Sequence, residues 1–197
     1  MTCETVRGCR SPASSAWVER FLSGVRPGGR ILDVACGDGR HLRLARERGY
    51  SVVGVDRDLR GVEDLRGQRG VELVCADLEE EKPIPFASEV FDGVIVTNYL
   101  WRPILPTIVA AVARDGVLIY ETFAVGNEQF GRPSNPDFLL RPGELIEAVR
   151  PLLVPVAFEH VTLFGPPRRM QRIAAVGPDH GWLIDAPSAC PVQDGSI

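Results

Sequence analysis

Residues 33–39, Asp-Val-Ala-Cys-Gly-Asp-Gly, carry the first pattern in the chain that could do chemistry. The apolar residues Ile31, Leu32 and Val34 lead into Gly37-Asp38-Gly39, and an amphipathic stretch follows at once. Strand, glycine turn and helix start together form the nucleotide-binding corner of an open α/β sheet. Gly37 permits a tight turn without a Cβ clash, and Gly39 is expected to let a ligand approach the backbone. Asp33 and Asp38 make the corner acidic, which favours a cationic or neutral ligand over a pyrophosphate.

Three more polar positions fall where later strands should end: Asp56, Asp77 with Leu78, and Asn98 with Tyr99. In an open parallel sheet the carboxyl ends of the strands line one crevice, where ligands bind. A carboxylate accepts two hydrogen bonds and so can grip the vicinal hydroxyls of a ribose. Asp56 lies close to the ~20-residue remove from the glycine turn expected of such an acid.

The elements that must position these residues are legible from periodicity. Ser11-Pro12 reads as the start of a helix bearing Trp17, Val18, Phe21, Leu22 and Val25, which Pro27-Gly28-Gly29 ends. Strands are expected at 30–35, 51–55, 71–75, 91–97 and 117–121. The helices between them carry Leu42, Leu44 and Ala45, then Leu59, Val62 and Leu65 behind an Asp58 cap, then Ile104, Leu105, Ile108, Val109 and Val112. Alternating strands and helices imply a doubly wound parallel sheet. Residues 122–141 break the rhythm; a connection of that length reads as a functional lid, with Phe123, Phe130 and Phe138 as its aromatic face. A short helix at 142–149 precedes a closing hairpin, 154–159 and 170–176, one strand of which runs antiparallel to the rest. The expected fold is therefore α/β, a doubly wound, mostly parallel seven-stranded sheet with a C-terminal antiparallel hairpin. Residues 1–177 form one domain, and 178–197 a poorly ordered tail.

With the motifs in register, the sequence resembles the class I S-adenosylmethionine-dependent methyltransferases over about residues 15–176, and among them the small stand-alone bacterial enzymes of the tellurite- and thiol-modifying type. The family's first motif is met by Asp33 with Gly37-Asp38-Gly39; its usual glycine two residues after the acid is Ala35 here. The resemblance implies S-adenosyl-L-methionine as cofactor, bound by Asp33, Ala35, Gly37, Gly39, Asp56, Asp77, Leu78 and Asn98. Asp56 would take the ribose, Asp77 and Leu78 the adenine, and Asn98 the methionine end. A nicotinamide-binding corner also begins Gly-x-Gly, but Leu42 stands where its third glycine would be, and Asp33 would repel a pyrophosphate.

The implied reaction is in-line methyl transfer to a nucleophile beside residues 98–102 and under the 122–141 loop. The cofactor is already activated by its positive sulfur, so the protein's task is alignment and exclusion of water. Tyr99, Arg102, Glu121 and Arg132 are the candidates for orienting substrate. Each has a structural alternative: Tyr99 as packing at the strand end, Glu121 as an ion-pair partner, Arg102 as part of a general arginine bias. His41 reads as a helix-start residue rather than a base. An alternative function is a cofactor-binding regulator or assembly partner without turnover.

Composition bounds the rest. A 197-residue chain with 45% hydrophobic and 24% charged residues can bury a proper core. Its net charge of −4 argues against nucleic acid or membrane as a partner. Lys82 is the only lysine, so a single arginine says little about an anion site. The five cysteines show no CxxC pair and no metal-ligand spacing, so no metal is expected and the cytoplasm is the expected compartment. The expected partner is a small molecule, anionic or of thiol or oxyanion type, bound by a monomer or homodimer.

Overall fold

A computed structural model describes residues 13–80 and 83–187. Seven strands form one sheet: β1 Arg30–Val34, β2 Ser51–Asp56, β3 Val71–Cys75, β4 Phe91–Thr97, β5 Val112–Phe123, β6 Val154–Leu163 and β7 Arg168–Val176. Their spatial order is β3-β2-β1-β4-β5-β7-β6. The first five run parallel, β7 is antiparallel to β5, and β6 is antiparallel to β7. Near-continuous apolar runs such as Gly93–Val96 suit strands covered on both faces.

Helices supply that cover. On one face lie α1 Ala16–Phe21, α2 Arg40–Glu47 and a 3₁₀ segment at Arg60–Leu65, around a cluster that includes Phe21, Ile31, Leu42, Val62 and Ile95. On the other lie α3 Leu105–Ala110 and α4 Glu144–Val149, around Leu32, Val94, Ile108, Tyr120 and Leu145. The apolar positions recognised by spacing are buried, apart from the half-buried Leu44, because a helix on a sheet presents one stripe to it.

Several local expectations are corrected. The cap of α1 is Ser15, whose Oγ accepts the Trp17 N–H at 3.1 Å; Ser11-Pro12 lies outside the described residues. Residues 60–65 wind as 3₁₀ turns, with the Asp58 carboxylate taking the Arg60 N–H at 3.1 Å. Arg114-Asp115-Gly116 does not precede the fifth strand but interrupts it, as the register passes from Phe91↔Val112 to Gly93↔Val117. Val112 therefore opens β5 instead of closing the α3 stripe.

The tail expectation also changes at its start. His180 is buried, with Nε2 2.9 Å from the Gly24 carbonyl oxygen, and caps a 3₁₀ turn at Gly181–Leu183. A Cβ on Gly24 would lie 2.5 Å from the Trp182 ring, so this glycine makes room for the indole to close one end of α1. Residues 188–197 lie outside the described set.

Candidate active site

The turn after β1 and the end of β2 are joined by one side chain. Asp56 Oδ2 accepts the Gly37 N–H at 2.8 Å, and Oδ1 accepts the Asp58 N–H at 2.9 Å. Each carboxylate oxygen keeps a second lone pair for a ligand. Asp56, Asp77, Leu78, Ala35 and Tyr99 line one hollow of about 290 Å³, together with Arg57, Ala76 and Glu79. Asp56, Asp77 and Glu79 against Arg57 make the hollow acidic, whereas Asp33 and Asp38, from which acidity was expected, do not line it.

The two turn glycines exchange their expected roles. A Cβ on Gly39 would meet Val62 Cγ1 at 2.3 Å, so Gly39 is buried by close packing of the 60–65 segment. A Cβ on Gly37 would meet nothing within 4 Å, and Gly37 is exposed. Its φ of +53° makes it the position where a left-handed backbone and open approach coincide. Ala35, in the family's glycine position, also has a positive φ, of 54°.

Asp33 does not line the hollow. It is 1% exposed beneath the turn, and its Oδ2 has no hydrogen-bond partner. Burial, with a smaller contribution from Asp56, pushes its pKa up to about 8 against the opposing charge of Arg40. Arg40 does not offset the burial, so without a further cation Asp33 holds a proton at neutral pH. Tyr99 is half-buried with an unpartnered hydroxyl. Burial raises its pKa, and so do Glu79, Asp77 and Asp56, so it remains a neutral phenol facing that acidic wall.

A second hollow, of about 580 Å³, opens on the α1 face of the sheet. Asn98, Glu121 and Phe123 form its floor, residues 13–16 and Arg40 one wall, and Leu163, Phe164, Arg168, Met170 and Arg172 the other. Adjacent residues Asn98 and Tyr99 thus serve the two hollows, so the end of β4 is their common rim. Asn98, at φ +55°, turns the chain there, and its N–H donates to the Glu121 carbonyl at 3.0 Å.

The 122–141 loop does not roof this cavity; of its residues only Phe123 reaches it. Ala124 bridges Leu140, and both are buried on the opposite, α3–α4 side. Phe130 and Phe138 face solvent, and so does Arg132. Arg102 explains the placement. Its guanidinium pairs with Glu144 at 2.7 Å and donates to the carbonyls of Asp137 and Leu139 at 2.6 and 2.8 Å. These contacts clamp the loop, and Arg102 lines neither hollow. Tyr99 likewise belongs to the first hollow and not to the second.

His41 is buried, with Nε2 accepting the Ser15 N–H at 3.2 Å and Nδ1 3.5 Å from Thr97 Oγ1. Burial, then the charge of Arg40, lowers its pKa to about 3, so it is a neutral tie between α1 and β4. Sequence reading missed Arg40, Arg168 and Arg172. Arg40 follows the glycine turn directly and was open to notice; the two β7 arginines reach the site only because β7 inserts beside β5. Among the described residues no group of three or more His, Cys, Asp or Glu could hold a metal ion.

The fold has known counterparts. Residues 31–115 match the family model of a methyltransferase domain, and the chain around them has the fold of the class I S-adenosylmethionine-dependent methyltransferases. TehB from Haemophilus influenzae superposes with a TM-score of 0.67 at 16% identity over 85% of this chain, which spans only 63% of TehB. An S-adenosylmethionine-dependent methyltransferase from Mesorhizobium loti gives 0.62 at 17% identity, over 82% of this chain and 98% of that one. The 1,6-didemethyltoxoflavin-N1-methyltransferase of Burkholderia thailandensis, solved with its substrate and S-adenosylhomocysteine, gives 0.61 at 20% identity, over 83% and 76%. No curated protein sequence matches the chain. No helix among the described residues is long and apolar enough to cross a membrane.

Proposed function

We propose that this chain transfers a methyl group from S-adenosylmethionine, held in the first hollow, to a small acceptor of anionic, thiol or oxyanion type held in the second. The observation that carries the reading is the shared rim at Asn98 and Tyr99 between the two cavities. The residues present suit the cofactor. Asp56 offers free lone pairs for ribose hydroxyls, Asp77 and Leu78 flank the space for a base, and Gly37 leaves its approach open. The orphaned Asp33 carboxyl beneath the turn supplies the missing counter-charge for a cation.

The bound cofactor supplies an electrophilic methyl on a positive sulfur. The chain's own contribution is alignment of the acceptor and exclusion of water. In the second hollow Arg40 and Arg168 make no ion pair among the described residues. They favour an acceptor with a negative group, and Phe123, Met170, Leu163 and Phe164 favour one with an apolar body. The reading carries with it a small-molecule partner and a cytoplasmic setting.

Calorimetric titration with S-adenosylmethionine and S-adenosylhomocysteine tests the first half, and S-adenosylhomocysteine release over a panel of small acids and thiols tests the second. Saturable binding of both nucleosides with turnover of at least one acceptor is expected. No binding would remove the function; binding without any turnover would leave a cofactor-dependent regulator.

A further inference from the structure

The floor of the acceptor cavity contains a carboxylate with nothing to pair with. Glu121 is 6% exposed, and among the described residues it is the only acidic one lining that cavity. Its side chain makes no hydrogen bond or ion pair among the described residues. The sheet register shows why this is unexpected. Thr97, Glu121, Arg172 and Glu159 stand abreast on β4, β5, β7 and β6. Arg172 lies beside Glu121, yet it gives its guanidinium to Glu159 at 2.5 Å and stacks 4.8 Å from the Trp17 ring. On the other side, Thr97 is 3.5 Å from neutral His41. A largely buried carboxylate that no protein group pairs must be satisfied from the cavity it lines, although an arginine one strand away could have neutralised it.

An ionised nucleophile would be repelled by this carboxylate at short range, while Arg40 and Arg168 on the walls attract an anion. The two demands are met by one kind of molecule. We infer that Glu121 is the proton acceptor of the transfer, and that the acceptor is an amphipathic acid. It brings a protonated nucleophile, X–H, to Glu121 and sets its separate anionic group between Arg40 and Arg168. This rests on the methyltransferase reading and narrows its acceptor.

In the transfer step a lone pair on X forms the bond to the methyl carbon. The carbon–sulfur bond breaks with its electron pair passing to sulfur, which becomes neutral. The X–H proton moves to a Glu121 carboxylate oxygen and leaves through the wet cavity. Glu121 touches the reacting group and is a catalytic residue; Arg40 and Arg168 act on binding alone.

The test compares the full chain with Glu121→Gln and Glu121→Asp. Probes are 4-hydroxybenzoate, 4-aminobenzoate and 3-mercaptopropionate as protic acids, 4-hydroxybenzamide as the uncharged control, and selenite as an acceptor already ionised at the nucleophile. The expected result is turnover of a protic acid and weaker use of the amide. Glu121→Gln should lose about 100-fold or more in kcat, with KM and S-adenosylhomocysteine affinity within about threefold. Glu121→Asp should recover part of the rate. The defect of Glu121→Gln should also shrink as pH rises through the acceptor's own X–H ionisation, since an acceptor that has shed its proton needs no base. A structural role would not give that rescue.

Unchanged kcat in Glu121→Gln, turnover of selenite alone, or no turnover of any protic acid while S-adenosylhomocysteine still binds would each overturn this inference and leave the cofactor reading standing. Failure to bind S-adenosylhomocysteine would remove the methyltransferase reading itself. Should the Gln variant not fold, the kcat of the Asp variant decides, and an unaltered rate there counts against the base.

Discussion

Asp56 does two jobs at the level of single atoms. It fixes the glycine turn through the Gly37 N–H and presents free lone pairs to the first hollow. Asp56→Ala is expected to weaken S-adenosylhomocysteine binding by about 1–3 kcal/mol, the effect of stranding hydrogen-bonded groups. Melting temperature should change little, because the Gly37 N–H is exposed and water can replace the carboxylate. Calorimetry beside a thermal melt checks both halves. Asp33 predicts the opposite pairing of effects. Its buried carboxyl is neutral without a cation, and ionising it is unfavourable. Asp33→Asn should therefore raise the melting temperature of the ligand-free protein at pH 8 while lowering affinity for S-adenosylmethionine.

At the scale of elements, the packing of the 60–65 segment and the fastening of the 122–141 loop decide how the site is walled. A Cβ at Gly39 would overlap Val62 and also require a left-handed alanine. Gly39→Ala should cost about 2–4 kcal/mol by chemical denaturation, since overpacking and backbone strain each contribute roughly 1–2 kcal/mol. Gly37→Ala carries the strain alone, about 1–2 kcal/mol, and its larger effect should appear in cofactor affinity. The Arg102 clamp gives a further test. Removing the arginine takes from Glu144, whose side chain is 7% exposed, its shortest ion pair, leaves it with Arg141 alone, and frees two loop carbonyls. Arg102→Met is expected to lose about 2–4 kcal/mol of stability. The KM of the acceptor should stay unchanged while the melting temperature falls, which would separate a fastening role from a substrate contact.

Across the whole molecule the two buried titratable groups beside the turn pull stability in opposite directions with pH. Asp33 has a folded-state pKa raised from 3.8 to about 8. Between those values the unfolded chain has released a proton that the folded chain keeps, so stability falls as pH rises. His41 has a folded-state pKa lowered from 6.5 to about 3. In that window the unfolded chain binds a proton the folded chain refuses, so stability falls as pH drops. Their contributions oppose each other from about pH 4 to 6.5, and above 6.5 only the Asp33 slope remains. Melting curves of the ligand-free protein should thus decline from pH 6.5 to 8 in the wild type and flatten in Asp33→Asn. With S-adenosylmethionine bound, the decline should vanish as the cation holds Asp33 ionised.

Local pattern determined much of this protein. Apolar runs bounded by Gly, Pro and Asp fix where strands begin and end, because backbone pairing and burial on two faces leave little choice of register. β3 and β4 fall on the residues read from sequence, and Asp56, Asp77, Leu78 and Tyr99 meet in one hollow because parallel strands end on one rim. Tertiary structure alone decided on which side of the sheet the second hollow opens. Arg102 and Glu144, 42 residues apart, fasten the loop to the far face. The insertion of β7 between β5 and β6 carries Arg168, Met170 and Arg172 to the near one. Such pairings join distant stretches of chain, so neither partner's local spacing announces them, and the unpaired state of Glu121 becomes visible only when its neighbours are known.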